Sequence, residues 1–350
     1  MDYPLHNGLG MRRLLTVLLL WGVLTLVAQR HIMSAVILKP QFVTIVLGTA
    51  GGLTESNLSS YLLAPIGSTD FVALDAGTLL TGLQQANRKG NLSDIALPTA
   101  SSLSVEGQVL TQHIKAYLLS HAHLDHLAGL VLNSPDDVSK NILALPLTIE
   151  QLRDHVFNGQ LWPNFGDEGP GRPLKKYHFV RLHPGQAQAI AGTQLTVIPF
   201  VLCHSGTPST AFLLQAKDAY ALYMGDTGPD EAEQCDNLYQ LWQSIAPLIR
   251  QGSLRGLFVE ISYPDGRDVT QLYGHLTPLW LMKELHRLAA LVNPQQPTSA
   301  LSGLTVIVSH IKPTLQRVQS ERGQIIQQVA AHNDLGIRFL FPEQGDRIEF

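Results

Sequence analysis

The chain has 350 residues, of which 45% are hydrophobic and only 15% charged, with a formal net charge of −4. This composition excludes a disordered chain and gives length for one large domain or two small ones. No basic tract marks a nucleic-acid surface, so a site for an anionic ligand needs a local positive field, such as bound metal.

Residues 1–35 read as a targeting segment. Arg12-Arg13 precedes an uncharged apolar run from Leu14 to Ala28. The run suits a signal h-region better than a membrane span, which needs about 20 residues. Leu26-Val27-Ala28 is a poor small-x-small cleavage site, so an uncleaved anchor over residues 14–28 is the alternative. A buried helix of the domain is the plainest reading of the same run. Met11 makes a more compact signal start than Met1. The expected location is periplasmic or extracellular, or membrane-anchored, with the folded domain over residues 36–350.

Strands are expected at 42–47, 59–63 and 70–75, where β-branched and aromatic residues are bounded by Gly and Pro. Gly48-Thr49-Ala50-Gly51-Gly52 lacks the lysine of a phosphate-binding loop and reads as a hairpin turn. Residues 79–87 have helical spacing, and the rest of 78–112 reads as loop with an exposed hairpin. The apolar run Ala116-Tyr117-Leu118-Leu119 leads into Ser120-His121-Ala122-His123-Leu124-Asp125-His126. An amphipathic helix is expected at 148–157, inside an insertion spanning about 136–190. Further strands are expected at 195–200, 210–214, 220–224, 256–263, 304–309 and 338–341. Helices are expected at 238–249, 279–291 and 315–332. This pattern alone gives the α/β class.

The chemistry centres on residues 121–126. His121 and His123 are two apart and project to one side of an extended segment. Asp125 and His126 fall where the backbone turns toward a helix and face a second point close by. Imidazole and carboxylate are ordinary ligands for zinc and similar divalent ions. Downstream, Asp226 stands at a strand end between Gly225 and Gly228, a setting that fits a metal-bridging carboxylate. Glu260 lies inside an apolar strand, and an unpaired buried carboxylate is costly, so it requires a partner. Cys203 and Cys235 form no CxxC pattern. Export would allow them to pair, but Cys203 beside His204 reads rather as a thiol packed next to the site.

HxHxDH is the signature loop of the metallo-β-lactamase superfamily. The longer run from His121 through Gly129 to Asn133-Ser134-Pro135 resembles the class II cyclic-nucleotide phosphodiesterases, and so does the stretch containing Trp162-Pro163-Asn164. The resemblance implies an αββα sandwich over residues 40–345 and two divalent metal ions, zinc by expectation. It assigns His121, His123 and His204 to one ion, and Asp125, His126 and His310 to the other. Asp226 bridges them, and Asp75 supports the loop through hydrogen bonds. Asp125, His275 and Glu260 are the expected catalytic residues, with His275 of the motif Gly274-His275-Leu276-Thr277-Pro278 as proton donor oriented by Glu260. Asn158, Trp162 and Asn164 are the expected contacts to a purine. The implied reaction is attack of a hydroxide held between the ions on a 3′,5′-cyclic nucleotide, cAMP and by expectation cGMP, giving the 5′-monophosphate.

Other hydrolases of the superfamily, namely a tRNA 3′-end nuclease, a thioesterase or a lactonase, form the second reading. A metal-binding scaffold without activity is the non-enzyme reading, against which the full ligand set counts. The expected partner is a small cyclic nucleotide and no nucleic acid. Contact with a membrane comes only through an uncleaved anchor, and a homodimer is left open.

Overall fold

The computed structural model describes residue 1, residues 39–316 and residues 320–350. The targeting segment read at 1–35 lies outside the described residues, apart from Met1. Residues 40–350 form one unit by their contacts.

Two seven-stranded sheets make the centre of that unit. The first contains β1 (Phe42–Gly48), β2 (Ser60–Pro65), β3 (Phe71–Leu74), β4 (Ile114–Leu118), β5 (Lys140–Ala144) and β6 (Tyr177–Arg181). The second contains β7 (Gln188–Ala189), β8 (Thr196–His204), β9 (Thr207–Ala216), β10 (Ala219–Met224), β11 (Leu254–Glu260), β12 (Thr305–Ser309) and β13 (Arg338–Leu340). The last strand, β14 (Arg347–Glu349), crosses back to pair with β1. Spatial order is β14-β1-β2-β3-β4-β5-β6 in one sheet and β13-β12-β11-β10-β9-β8-β7 in the other.

Strand alternation explains the layering, because successive side chains point to opposite faces. In β1, Phe42 and Val46 face the other sheet, while Val43, Ile45 and Leu47 face a helical layer. In β10, Ala221 and Tyr223 face inward, and Leu222 and Met224 face outward. The first outer layer includes α1 (Leu80–Arg88) and α2 (Leu124–Asn133), which bury Leu83, Leu127 and Leu130. The second includes α3 (Asn237–Arg250), α4 (Pro278–Val292) and α5 (Glu321–His332), which bury Trp242, Leu285 and Ile325. The result is the αββα sandwich that the sequence resemblance implied.

Several expectations change. The segment 136–190 is not one insertion, since β5 and β6 belong to the parallel half of the first sheet, with β6 at its edge. Between these two strands, residues 145–176 lie outside the sheet as a short helix, a π-helical turn and the loop of residues 157–176. The helix expected at 148–157 begins at Pro146, ends at Gln151 and passes into a π-helical turn, Leu152–Val156. The hairpin expected before residue 112 is instead a short helix and a π-helical turn ending at His113. The last helix starts at Glu321, capped by Ser320, not at residue 315. Cys203 and Cys235 form a disulfide, so the reading of Cys203 as a thiol packed beside the site is overturned.

Candidate metal centre and active site

The β3-β4-β5-β6 and β10-β11-β12-β13 halves are parallel, and they point their carboxyl ends at one place. Backbone freed at strand ends can bend and present side chains, which is why sites gather there. Asp75 follows β3, and His121 lies just beyond β4. His204 and Glu260 close β8 and β11. Asp226 follows β10, and His310 follows β12. Residue 123 caps α2, so Asp125 and His126 enter the site on its first turn.

Ligand atoms gather in overlapping groups: His121 with His123 and His204; Asp125 with His126 and His310; and His121 with His126 and Asp226, which lies between the other two. His123 Nδ1 lies 2.8 Å from His121 Nε2 and 3.3 Å from His204 Nε2. His126 Nε2 lies 3.1 Å from His310 Nε2. Asp226 Oδ2 sits among them, 3.2 Å from His126 Nε2, 3.1 Å from His310 Nε2, 3.8 Å from His204 Nε2 and 3.9 Å from His121 Nε2.

The outer hydrogen bonds assign the tautomers. Ser120 Oγ donates to Asp75, so it accepts from His121 Nδ1 at 3.0 Å. Ser262 Oγ donates to Glu260, so it accepts from His310 Nδ1 at 3.0 Å. His126 Nδ1 donates to Asp75 Oδ2 at 2.8 Å, and His204 Nδ1 donates to the Gly274 carbonyl at 2.7 Å. The rings of His121, His204 and His310 therefore turn a bare Nε2 lone pair inward, and Nε2 of His126 faces the same place. Lone pairs converging this closely repel unless a cation lies among them, so the residues fit a divalent metal site. Gly274 approaches His204 so closely that a Cβ there would lie 2.6 Å from Nδ1.

The electrostatics agree. Burial holds His121 well below its usual value, and it lowers His204 and His123 too. Burial alone would raise Asp226, yet His126 and His310 hold it well below the usual carboxylate range. For His126, Asp226 and Asp75 outweigh burial and favour positive charge at that ring. A proton supplies that charge in metal-free protein, and a metal ion supplies it in the loaded one.

Asp75 lies beneath the loop. It has φ 53° and accepts from Ser120 N (2.7 Å), Ser120 Oγ (2.8 Å), His126 Nδ1 (2.8 Å) and Tyr223 Oη (2.7 Å). Sequence reasoning missed Ser120, Ser262 and Tyr223. Ser120 adjoins the motif and was within reach, whereas nothing local marks Tyr223, 148 residues from Asp75.

Glu260 finds its partner in His275, with Oε1 2.7 Å from Nδ1. Thr227 N–H and Ser262 O–H also donate to that carboxyl group. Burial, then Asp226, pushes Glu260 up to about 7, and burial lowers His275 to about 4. At neutral pH the couple therefore holds an ionisable proton in a site otherwise lined with bare acceptors. Both residues also lie within ligand reach of the cluster. Their mutual hydrogen bond separates them in role, because it occupies the nitrogen of His275 that faces Asp226 at 3.8 Å.

The structure does not bring Asn158, Trp162 and Asn164 into this centre, and none of them lines its cavity. Asn158 Oδ1 accepts from Gln160 N and Leu161 N, and its Nδ2 donates to the Asp154 carbonyl. Asn164 is spent on Glu168 O, Pro170 O and Gly166 N. Trp162 Nε1 donates to Ser134 Oγ, tying this loop to the end of α2. Loop closure uses the polar groups that the sequence reading gave to a purine.

Two facing sheets with His and Asp side chains gathered at their strand ends define a metallo-β-lactamase-fold protein. The metallo-β-lactamase fold protein YhfI from Bacillus subtilis shares this architecture, with a TM-score of 0.56 at 16% identity over 88% of this chain and 99% of that one. The chain belongs to the class II cAMP phosphodiesterase family, whose pattern matches residues 36–345. It is 41% identical over 311 residues to a 3′,5′-cyclic-nucleotide phosphodiesterase of Aliivibrio fischeri, covering 88% of this chain and 93% of that protein. A probable 3′,5′-cyclic-nucleotide phosphodiesterase of Yersinia pestis is 40% identical over 88% of this chain and 89% of its own length. The crystal structure of unliganded yeast PDE1 superposes with a TM-score of 0.77 at 26% identity, covering 89% of this chain and all of that one.

Proposed function

We propose that this enzyme hydrolyses 3′,5′-cAMP, and cGMP with it, to nucleoside 5′-monophosphates. The convergence of five imidazoles, His275 among them, on Asp226 Oδ2 within 3.1–3.9 Å carries this reading, together with the family. His121, His123 and His204 would hold one zinc ion and Asp125, His126 and His310 a second, with Asp226 shared. Such ions supply Lewis-acid charge for a phosphodiester and lower the pKa of water toward neutrality.

The protein's own groups do the rest. Asp125, whose side chain is 18% exposed toward the cavity, orients the attacking water. Attack at phosphorus opposite O3′ breaks the P–O3′ bond. His275 Nε2–H gives its proton to the departing O3′, and the Glu260 proton moves onto Nδ1. The proton from the attacking water restores the couple. Ser120, Ser262 and the Gly274 carbonyl keep the imidazoles in register throughout.

Export is part of the proposal. Arg12-Arg13 before the apolar run of residues 14–28 supports it, and so does the disulfide, which persists in oxidising compartments. Activity found only in the cytosolic fraction refutes that part.

The full-length protein incubated with 3′,5′-cAMP, with bound metal counted on the same sample, tests the reaction. Release of 5′-AMP, lost on chelation and restored by zinc, is the expected result. Two bound metal ions with no cleavage of either cyclic nucleotide would transfer the site to another ester.

A further inference from the structure

The metal centre opens into a cavity of about 290 Å³. Its lining includes His123, Asp125, His204, Asp226 and His275, and of the four lining residues that the reaction scheme leaves unused, Ser205, Thr207, Tyr273 and Lys312, the last two carry the long side chains.

Tyr273 is 59% exposed, and its backbone is left-handed, with φ 53°. A non-glycine residue in that region is uncommon and persists where its neighbours over-determine it. Here both do. Leu272 is buried at 1% exposure, and Gly274 (φ 78°) is pressed against His204, whose Nδ1 holds its carbonyl. The loop is thus clamped on both sides of Tyr273, and an aromatic ring is left standing at the edge of a polar cavity.

Lys312 stands where the chain leaves the ligand His310. Its backbone N–H donates to Ser262 O at 3.1 Å, and the Ser262 hydroxyl group donates to Glu260. That bond fixes the start of the side chain relative to the catalytic couple. Among the described residues its ammonium makes no ion pair and no hydrogen bond, although Asp125 and Asp226 line the same cavity. A cation left unpaired at the mouth of an active site is available to an anion that arrives with the substrate.

Resting on the phosphodiesterase reading, we infer that these two rim residues hold the two ends of the cyclic nucleotide. Lys312 contacts the phosphodiester oxygens that the metal ions do not take, and Tyr273 stacks on the base. This assigns base recognition to the 272–275 turn in place of the 157–176 loop. Stacking tolerates either purine, since every base has a π-face, so the arrangement admits cAMP and cGMP alike.

The test is steady-state kinetics of the full-length, zinc-loaded enzyme on two substrates. One is cAMP, and the other is 1-deoxyribose 3,5-cyclic phosphate, which keeps the ring and lacks the base. Tyr273→Ala is expected to raise KM for cAMP about tenfold and to change the base-free compound less than twofold. Tyr273→Phe, which keeps the ring, recovers most of that loss. Lys312→Met is expected to lower kcat/KM for both compounds about tenfold or more, and Lys312→Arg restores part of it. Metal content and melting temperature are read on each variant, so a structural effect shows as a change in those. Equal losses on both substrates for Tyr273→Ala, or none on either, overturn the assignment of the base. An unchanged Lys312→Met overturns the phosphate contact. Wild-type enzyme that cleaves neither compound overturns the cyclic-nucleotide reading and this inference with it.

Discussion

Asp75 shows how much one carboxylate can organise. Its four donors come from Ser120, His126 and Tyr223, so it fixes a ligand ring, the start of the ligand loop and a tyrosine of the opposite sheet. Asn tolerates the left-handed backbone that Asp75 adopts, so Asp75→Asn should fold. It loses the negative charge that favours the Nδ1–H tautomer of His126. Such outer partners are worth about 10–100-fold in metal affinity. Zinc competition with a chelator should show a loss of that order, and an unchanged affinity would contradict the role given to Asp75. Protonation at the same site gives a second prediction, for chelated protein. Burial holds His121, His123, His204 and His275 below 6.5, His275 at about 4. Between about pH 6.5 and 4 the unfolded chain binds protons that these folded sites refuse, so stability falls as pH falls through that window. Glu260, raised to about 7, opposes the trend with one proton retained in the folded state. His126, whose burial is outweighed by Asp226 and Asp75, acts above the window. The four histidines therefore set the sign. Urea unfolding of metal-free protein at pH 7 and pH 5 checks it, and greater stability at pH 5 would be the wrong sign.

Among the elements, β8 and the turn after β10 are joined in a way that bears on the metal. Cys203 precedes the proposed ligand His204, and its disulfide to Cys235 closes a loop of 32 residues that contains Asp226. Within that loop Gly228 N–H donates to the Cys203 carbonyl at 3.0 Å, and Glu233 accepts from Ser205 N–H at 2.7 Å. The cross-link and these bonds restrain together two proposed ligands, one at the end of β8 and one just after β10. A loop of this length gives about 4 kcal/mol of stabilisation by restricting the unfolded chain. Cys235→Ser should lose about that much, and reductant should bring the wild type to the same melting temperature. A wild-type melting temperature indifferent to reductant would show that the bridge contributes nothing.

At the scale of the whole molecule, the site exists because two sheets are held face to face with their strand ends level. Phe350 is one of the residues that hold them. It follows β14 of the first sheet, stacks on Phe42 at 5.9 Å between ring centroids and meets Phe258 of the second sheet edge-on at 5.7 Å. Gly256 makes room for it, since a Cβ there would lie 2.4 Å from the Phe350 ring. Phe350→Ala should cost about 3 kcal/mol in denaturant unfolding, the usual price of an aromatic ring lost from a core. A change within about 0.5 kcal/mol would mean that the sheets pack without it.

The sequence alone determined the parts of this protein that depend on neighbours along the chain. The His/Asp loop, the alternation of the strands and the helix starting beside Asp125 follow from spacing over a few residues, and the family motif tied the distant histidines to that loop. The shift of the last helix to Glu321 and the splitting of 148–157 into two kinds of turn were beyond it, because end geometry depends on what caps and covers an element. Only the tertiary structure decided which polar groups are free. The amides of Asn158 and Asn164 look available in sequence and are consumed by their own loop, while Tyr273 and Lys312 look ordinary and stand at the cavity mouth. It also decided the disulfide and the Tyr223–Asp75 bond, which join residues brought together by sheet packing. Local pattern sets what a segment can form, whereas hydrogen bonding across the fold decides which donors, acceptors and charges remain for a ligand.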